Sequence, residues 1–270
     1  MLSSEEQSTK KWTNFLLFAL FLQIAAWSYE AYFNSTAINS VIFLNLNLSD
    51  QFASLFDKFS SLVLLLSFGL FLITRVASFL LVPVAYGLAL PICTMLLHSS
   101  FAYEFALLTG AARFGLPLVL YLFYKNQEKG WGIDKRFLIR FFICLTFVGH
   151  GIEALMEHPK FIDFLIEGFA LLFGYELSEA YAVHLLTLIG AADIVLSISG
   201  LIKPRVSVYL FMTAWGFITA VCRLMYFQWD GIFPMLLRSA HWALPAFVVY
   251  MILQQRKVSE PWKIWKAVKG

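Results

Sequence analysis

Ionisable side chains lie inside the apolar segments of this 270-residue chain, and most of them fall in its second half. Such groups are costly in an apolar environment and are therefore candidates for function. His150 and Glu153 are three residues apart, while Arg238, His241 and Trp242 follow at i, i+3 and i+4, so each set shares a helix face. We expect these faces to turn inward and to form one outward-opening cluster, made up of His150, Glu153, His184, Arg223, Arg238 and His241.

Imidazole and guanidinium donors beneath aromatic side chains suit a quinone or a similar amphiphilic ligand, which needs no fixed coordination geometry. A haem held by two histidines from different helices, or a metal held by His150, His184, His241 and Glu153, would use some of the same groups, but neither has a diagnostic spacing here. A di-iron carboxylate site needs Glu-x-x-His from two helices and further glutamates, whereas the chain offers a single reversed His-x-x-Glu. The sequence therefore favours a quinone-like ligand over haem and metal.

Each of these groups also has a structural interpretation that the sequence leaves open. Glu153 and an arginine of the cluster can form a buried ion pair that fixes helix register. The histidines can serve as interhelical hydrogen-bonding groups or as anchors near the outer headgroups. Asp193 lies half a turn from His184 around its helix, so we expect it to face a close helix contact, with Arg140 as its possible partner.

The first half of the chain keeps few of these groups. Its counterparts are Glu30 and Arg113, but Trp27 stands at the position of His150, and Arg113 stands at that of His241. We expect Glu30 and Arg113 alone to be structural. The second half is therefore predicted to carry the activity and the first half to be a degenerate scaffold.

The composition places these groups in a membrane protein. Hydrophobic residues make up 60% of the chain and charged residues 14%, whereas about a quarter of the residues of a soluble domain are charged. The net charge of +3 is spread along the chain, which gives no indication of nucleic-acid binding. Cys93, Cys144 and Cys222 are isolated from one another, which argues against a thiolate zinc site and excludes a Cys-x-x-Cys redox motif.

Eight segments are long and apolar enough to cross a hydrocarbon core of roughly 30 Å as helices. Between the fifth and sixth of them, Pro159 to Ser178 predicts an amphipathic helix on the outer surface, whereas the equivalent Asn34 to Ser54 is predicted as a loop. We therefore predict an all-α integral membrane fold whose eight transmembrane helices are Trp12 to Phe33, Leu55 to Thr74, Val76 to Leu97, Tyr103 to Tyr124, Phe137 to Met156, Tyr181 to Leu201, Val206 to Phe227 and Phe233 to Leu253.

Lysine and arginine residues indicate the orientation of the chain. They accumulate at the N-terminus, at Arg75, between residues 125 and 136, near Lys203, and from Arg256 onward, all on one side of the eight predicted spans. The opposite loops are mainly acidic. Since basic loops stay in the cytoplasm, we predict a multi-pass protein of the inner (cytoplasmic) membrane with both termini cytoplasmic.

The two halves of the sequence resemble each other. WSYEA at 27–31 aligns with HGIEA at 150–154, SFGLFLITR aligns with SISGLIKPR, and AARFGLP aligns with SAHWALP. A four-helix unit returns the chain to its starting side, so two tandem four-helix bundles form a parallel repeat about an axis along the membrane normal. The predicted organisation is a first membrane unit over 1–124, a cytoplasmic linker over 125–136, a second membrane unit over 137–255 and a basic cytoplasmic tail over 256–270.

The stretch from RFFICLTFVGHGIEALMEHPKFIDFL through the GLIKPR turn to RSAHWALP resembles the four-helix DoxX/MauE-type membrane family. The resemblance covers the second half well and the first half weakly. It implies a four-helix antiparallel bundle in each half and a redox or respiratory role beside other membrane or periplasmic redox subunits. It supplies no catalytic residue to place on His150 or Glu153, and the doubled length departs from the family.

Two functions remain open on this basis. The first is a redox-associated subunit or accessory protein that binds a quinone-like ligand at the cluster. The second is a non-enzymatic transporter or membrane scaffold, in which the repeat forms a pathway and the same charged groups relay protons or bind an anion. A bound quinone, haem or metal favours the first function, and ion-dependent flux by a colourless protein favours the second.

Overall fold

The computed structural model describes residues 4–98, 100–125 and 134–259, and no strand occurs within these ranges. Most of the predicted linker over 125–136 and of the predicted tail over 256–270 lies outside the described residues. The helices follow one another as α1 (Ser4–Phe33), α2 (Ala37–Leu44), α3 (Asp50–Thr74), α4 (Leu81–Leu97), α5 (Ala106–Thr109), α6 (Ala111–Lys125), α7 (Lys135–Leu155), α8 (Pro159–Phe173), α9 (Glu179–Ile202), α10 (Val206–Phe227), α11 (Ile232–Leu236) and α12 (Ser239–Ser259). Short 3-10 helices precede α4, α5 and α11, at Ala77–Leu80, Tyr103–Phe105 and Gln228–Gly231.

Seven helical segments of the described chain are long and apolar enough to cross a membrane, which confirms an all-α, multi-pass membrane fold in contact with the lipid bilayer. The first seven predicted spans correspond to them. The eighth predicted span is not among them; its first residues lie in α11, which belongs to the seventh segment, and most of its remainder lies in α12. The seven segments are Lys11–Leu44, Asp50–Thr74, Ala77–Leu97, Tyr103–Lys125, Lys135–Leu155, Glu179–Ile202 and Val206–Leu236.

The same order of elements runs through the first half (residues 4–125) and the second half (residues 134–259). In each half a long helix, a shorter helix and two further long helices are followed by a 3-10 turn, a short helix and a final long helix. The final helices, α6 and α12, are each separated by a short break from the short helix that precedes them, α5 or α11. Because Ala111 and Ala240 in their first turns are fully buried, both helices begin in the interior of the protein.

The helix α2 corrects the predicted loop over Asn34 to Ser54. Thr36 caps its N-terminus by accepting the Asn39 N–H on its side-chain oxygen. The N–H and hydroxyl of Thr36 also donate to the buried carboxylate of Asp57, at 3.0 and 2.7 Å, which joins α2 to α3. The segment contains only eight helical residues, too few for its periodicity to stand out in the sequence.

The amphipathic helix predicted over Pro159 to Ser178 is α8. His158 caps its N-terminus by accepting the Lys160 N–H on Nδ1 at 3.2 Å, and Gly174 ends it in the left-handed region at φ +64°. Ile162 is buried, whereas the apolar side chains at the C-terminal end of the helix are exposed. One face of α8 therefore packs on α9 and α10, and this face closes one side of the site described below.

The two halves share one hydrophobic core, whose centre is formed by α1, α6, α7 and α12. At this centre α6 packs on α7, and α12 packs on α1. Polar contacts join the halves at the same place: the Ser239 hydroxyl donates to the Ala19 carbonyl at 2.7 Å, and the Ala112 N–H donates to the Thr146 hydroxyl at 2.7 Å. The predicted membrane units are thus joined through their first and last helices.

Candidate functional site

His150 lies in α7 between two glycines that bring neighbouring helices close. A Cβ atom at Gly149 would lie 2.8 Å from the backbone nitrogen of Thr109, and a Cβ atom at Gly151 would lie 2.8 Å from the carbonyl oxygen of Gly190. Only glycine allows both approaches, so α7 packs tightly on α5 and on α9. The Gly-His-Gly sequence thereby holds His150 at a fixed depth in the protein.

The imidazole of His150 joins a carboxylate to a second imidazole, and we name this arrangement the Glu-His-His chain. Nδ1 of His150 lies 2.8 Å from Oε2 of Glu153, and Nε2 of His150 lies 3.4 Å from Nε2 of His241. With Glu153 ionised and both imidazoles neutral, His150 donates to Glu153 and accepts from His241. Nδ1 of His241 is then an acceptor, and no described residue forms a hydrogen bond with it.

A cavity of about 100 Å³ lies beside the Glu-His-His chain, among α7, α8, α9, α10 and α12. Much of its wall is apolar or aromatic and is formed by Phe147, Ala154, Phe161, Phe164, Leu165, Leu186 and Ile189. Its remaining lining consists of Gly216 and of polar, sulfur-bearing or charged side chains, which are His150, Asp193, Trp215, Thr219, Cys222, Arg223, Arg238 and His241. The combination of an apolar wall and convergent polar groups is typical of a ligand site.

Three guanidinium groups surround the Glu-His-His chain. Arg223 and Arg238 line the cavity, and the guanidinium of Arg223 lies over the ring of Phe164 at 5.3 Å from its centroid. Arg113, expected to act only within the first half, instead joins the cluster, because its charge interacts with those of Glu153, Arg223 and Arg238. The cluster therefore lies at the junction of the two halves and is not confined to the second.

Two of the eight predicted site residues lie elsewhere. His184 is exposed on α9, on a different face from Leu186 and Ile189, which line the cavity. Glu30 accepts a hydrogen bond from the side-chain amide of Asn34 at 3.1 Å and forms no contact with an arginine of the cluster among the described residues. The six that the structure brings together are Arg113, His150, Glu153, Arg223, Arg238 and His241.

Asp193 is a cavity residue that the sequence argument assigned to a helix contact. It is buried, and its carboxylate accepts the indole N–H of Trp215 at 3.4 Å inside the cavity. Its expected partner Arg140 instead donates to the backbone carbonyls of Arg136 and Leu201. The signal that identifies Asp193 is its position four residues after Ile189, on the face of α9 that lines the cavity.

The metal and haem hypotheses do not fit this arrangement. Within the described chain, no group of three or more His, Cys, Asp or Glu side chains is placed to hold a metal ion. His184 is exposed and lies on a different face of α9 from the cavity, so it does not join the other metal ligands considered from the sequence. The 3.4 Å separation of the His150 and His241 Nε2 atoms is that of direct contact and leaves no space for a porphyrin between the rings.

Comparison with known proteins adds no relative to this description. No protein-family model, no curated protein and no solved structure matches the chain. The resemblance to the DoxX/MauE-type family therefore stays a prediction from the second-half motifs.

Proposed function

We propose that this multi-pass membrane protein binds an amphiphilic, quinone-like ligand in the cavity beside the Glu-His-His chain. The observation that carries the proposal is the state of His241, which is 4% exposed, lines the cavity, and keeps its Nδ1 atom without a partner among the described residues. A buried polar atom left unpaired costs about 1 to 3 kcal/mol. A ligand with a hydroxyl group that donates to Nδ1 of His241, such as the reduced form of a quinone, removes that cost.

The cavity supplies both parts of the contact that such a ligand needs. Its apolar wall on α8 and α9 suits a ring or a chain, and the aromatic side chains of Phe164 and Trp215 can cover a flat headgroup. The guanidiniums of Arg223 and Arg238 offer donors to the carbonyl oxygens of a quinone headgroup, and Nδ1 of His241 can accept from a hydroxyl of its reduced quinol form. The Glu-His-His chain can also exchange a proton with that headgroup through His241.

A redox association of the protein is the part of this proposal that depends on its resemblance to the DoxX/MauE-type family. The chain's own residues provide ligand contacts and a route for protons. Electrons would come from another membrane or periplasmic subunit. The same site, without redox partners, would serve the transporter or scaffold that was considered as the alternative.

We also propose that α11 and α12 complete an eighth span and that both termini lie in the cytoplasm of a bacterium, with the protein in its inner membrane. The distribution of lysine and arginine supports this orientation, which requires an even number of spans. The repeated order of elements supports a tandem parallel repeat, and so does the equivalence of the α6–α7 and α12–α1 contacts. Gly87 and Gly216 lie at matching close contacts of α4 with α6 and of α10 with α12.

The proposed function is tested on full-length protein purified in non-ionic detergent. Organic extraction, an optical spectrum and metal analysis identify what is bound, and titration with decylubiquinone tests binding directly. We expect binding by the wild type and by His184→Ala, and binding about tenfold weaker in His241→Ala, which loses the cavity imidazole. A protein without co-extracted ligand and without decylubiquinone binding contradicts the quinone proposal and favours transport or scaffolding.

A further inference from the structure

The charges around the cavity are unbalanced. Arg113, Arg223 and Arg238 bring three guanidiniums to the cluster, whereas the carboxylates near it are Glu153, which is hydrogen-bonded to His150, and Asp193. No described carboxylate lies within ion-pair distance of any of the three guanidiniums. Buried or partly buried charges without counter-ions are costly, so the cluster holds more positive charge than a purely structural network needs.

Arg223 is the clearest case. It is 9% exposed, and its guanidinium contacts the ring of Phe164 and the backbone carbonyl of Thr219, both of which are uncharged partners. These contacts fix the orientation of the guanidinium at the cavity wall while leaving its charge unneutralised. A guanidinium fixed in this way presents paired N–H donors, whose geometry matches the oxygens of a carboxylate or phosphate group.

Two helix N-termini add to the positive potential. The helix α12 begins at Ser239, directly after Arg238, and α6 begins at Ala111, two residues before Arg113. Both begin in the interior of the protein, where the partial positive charge at a helix N-terminus is weakly screened. Interrupted helices that present their N-termini to a site within the membrane are a recurring way to bind anionic groups.

We propose that the ligand of this cavity carries an anionic headgroup of the phosphate type, held by Arg223 and Arg238, with a protonated phosphate oxygen donating to the unpartnered Nδ1 of His241. This inference rests on the proposed function in that it uses the same amphiphile-binding cavity, and it assigns the ligand a phosphate in place of the uncharged quinone headgroup. The apolar wall contributed by α8 and α9 receives the hydrophobic part of the ligand when that headgroup belongs to a lipid. Free inorganic phosphate offers the same headgroup chemistry from solution.

The test compares three probes on the full-length protein in neutral phosphatidylcholine nanodiscs. The probes are dodecyl phosphate, inorganic phosphate and the uncharged decylubiquinone. The variants are Arg223→Gln and Arg238→Gln, and the matched control is Arg140→Gln, whose guanidinium bonds backbone carbonyls away from the cavity. We expect dodecyl phosphate to bind the wild type and Arg140→Gln equally, and each cavity variant about tenfold or more weakly.

Each outcome bears on a separate statement. Displacement of dodecyl phosphate by an equal concentration of inorganic phosphate supports the anion site with a soluble source, and absence of displacement supports a lipid source. Binding of decylubiquinone without dodecyl phosphate overturns the anionic headgroup but leaves the proposed function standing. Binding of neither probe overturns both.

Thermal unfolding without ligand separates a binding role from a structural one. If the role of Arg238 is to bind a ligand, Arg238→Gln relieves charge repulsion from Arg113 and Arg223. The unfolding temperature should then stay equal or rise, while ligand binding falls. A fall in both overturns the inference, because it identifies Arg238 as a structural group. Arg238→Lys provides a second variant that keeps the charge but loses the planar fork, and we expect it to bind dodecyl phosphate with intermediate affinity.

Discussion

The two halves of the chain place different side chains at aligned positions on their first helices. In α7 this position holds His150, which bonds Glu153 and His241 beside a cavity. In α1 it holds Trp27, which is 2% exposed, packs edge-on against Tyr86 and fills the space that the absence of a side chain at Gly87 leaves open. At this position the interior is thus filled in the first half and opens to a polar cavity in the second.

The helix crossings of the two halves differ in a similar way. In the first half α1 crosses α3 with the Ser61 hydroxyl donating to the Ser28 carbonyl at 2.8 Å. In the second half α7 crosses α9 through Gly151 and Gly190, whose backbones touch. Hydrogen bonds therefore join the helices at the first crossing, whereas close backbone packing joins them at the second.

The largest effect is expected when the first-half side chain is placed in the second half. In His150→Trp the indole occupies part of the cavity and breaks the Glu-His-His chain, so binding of dodecyl phosphate and decylubiquinone should fall below detection. Equilibrium titration in nanodiscs measures this. The control is His184→Trp, which changes an exposed position on α9. Retained binding in His150→Trp would show that the cavity is not the ligand site.

The reciprocal change should act on stability instead. Trp27→His removes a large side chain from the core and leaves a void beside Gly87, at a cost of about 3 kcal/mol. Thermal and denaturant unfolding in detergent measure the loss, and the exposed Trp229→His is the control. An unchanged unfolding midpoint would mean that the first half tolerates a cavity as the second does, which would remove the distinction drawn above.

Next in size is an effect at the second-half crossing. A methyl group at Gly190 would lie 2.7 Å from the Gly151 carbonyl oxygen, so Gly190→Ala should separate α7 from α9 and destabilise the protein by about 1 to 3 kcal/mol. Gly69→Ala on α3 is the matched control, because nothing lies within 4 Å of the added methyl group and alanine favours the helix. Equal unfolding midpoints for the two variants would contradict a close backbone crossing.

The sequence was sufficient to predict the membrane class, seven of the eight spans assigned from it, α8, and the proximity of most residues of the cluster. Each of these follows from length, hydropathy or the 3.6-residue period, which are properties of single helices. His184 was misplaced, because a shared depth along a helix does not specify which face turns inward. The position of Asp193 was wrong for the same reason. Gly190 and Ser197 suggested that its face of α9 packs against another helix, whereas the structure places Asp193 at the cavity.

Arg113 shows what the sequence left undetermined. Arg113 belongs to the first half of the chain, yet its charge interacts with those of Glu153, Arg223 and Arg238 in the second half. That neighbourhood arises from the packing of α6 on α7, which depends on the complementarity of two helix surfaces and leaves no local periodic signal. The break that starts α12 inside the protein had no local signal either, because neither Leu237 nor Arg238, the two residues between α11 and α12, is a glycine or a proline.

The smallest expected effect concerns the N-terminal caps of α2 and α8, the second helix of each half. Thr36 caps α2 with a hydroxyl, whereas His158 caps α8 with an imidazole whose pKa is lowered by burial and by the charges of Lys160 and Arg223. Nδ1 of His158 accepts the Lys160 N–H only when it is unprotonated. Because the folded-state pKa lies below the ordinary value of 6.5, this contribution is present above pH 6.5 and is lost as the pH falls below it.

Lowering the pH from 7.5 to 5.5 should therefore weaken α8 by about 1 kcal/mol, the value of one cap, and leave α2 unchanged. Amide hydrogen exchange, corrected for the intrinsic effect of pH, measures both helices in one sample. In His158→Asn the cap no longer titrates, so the difference between the two pH values should vanish for α8. Equal loosening of α2 and α8 in the wild type would instead point to a general effect of acid on the protein and would remove His158 as its cause.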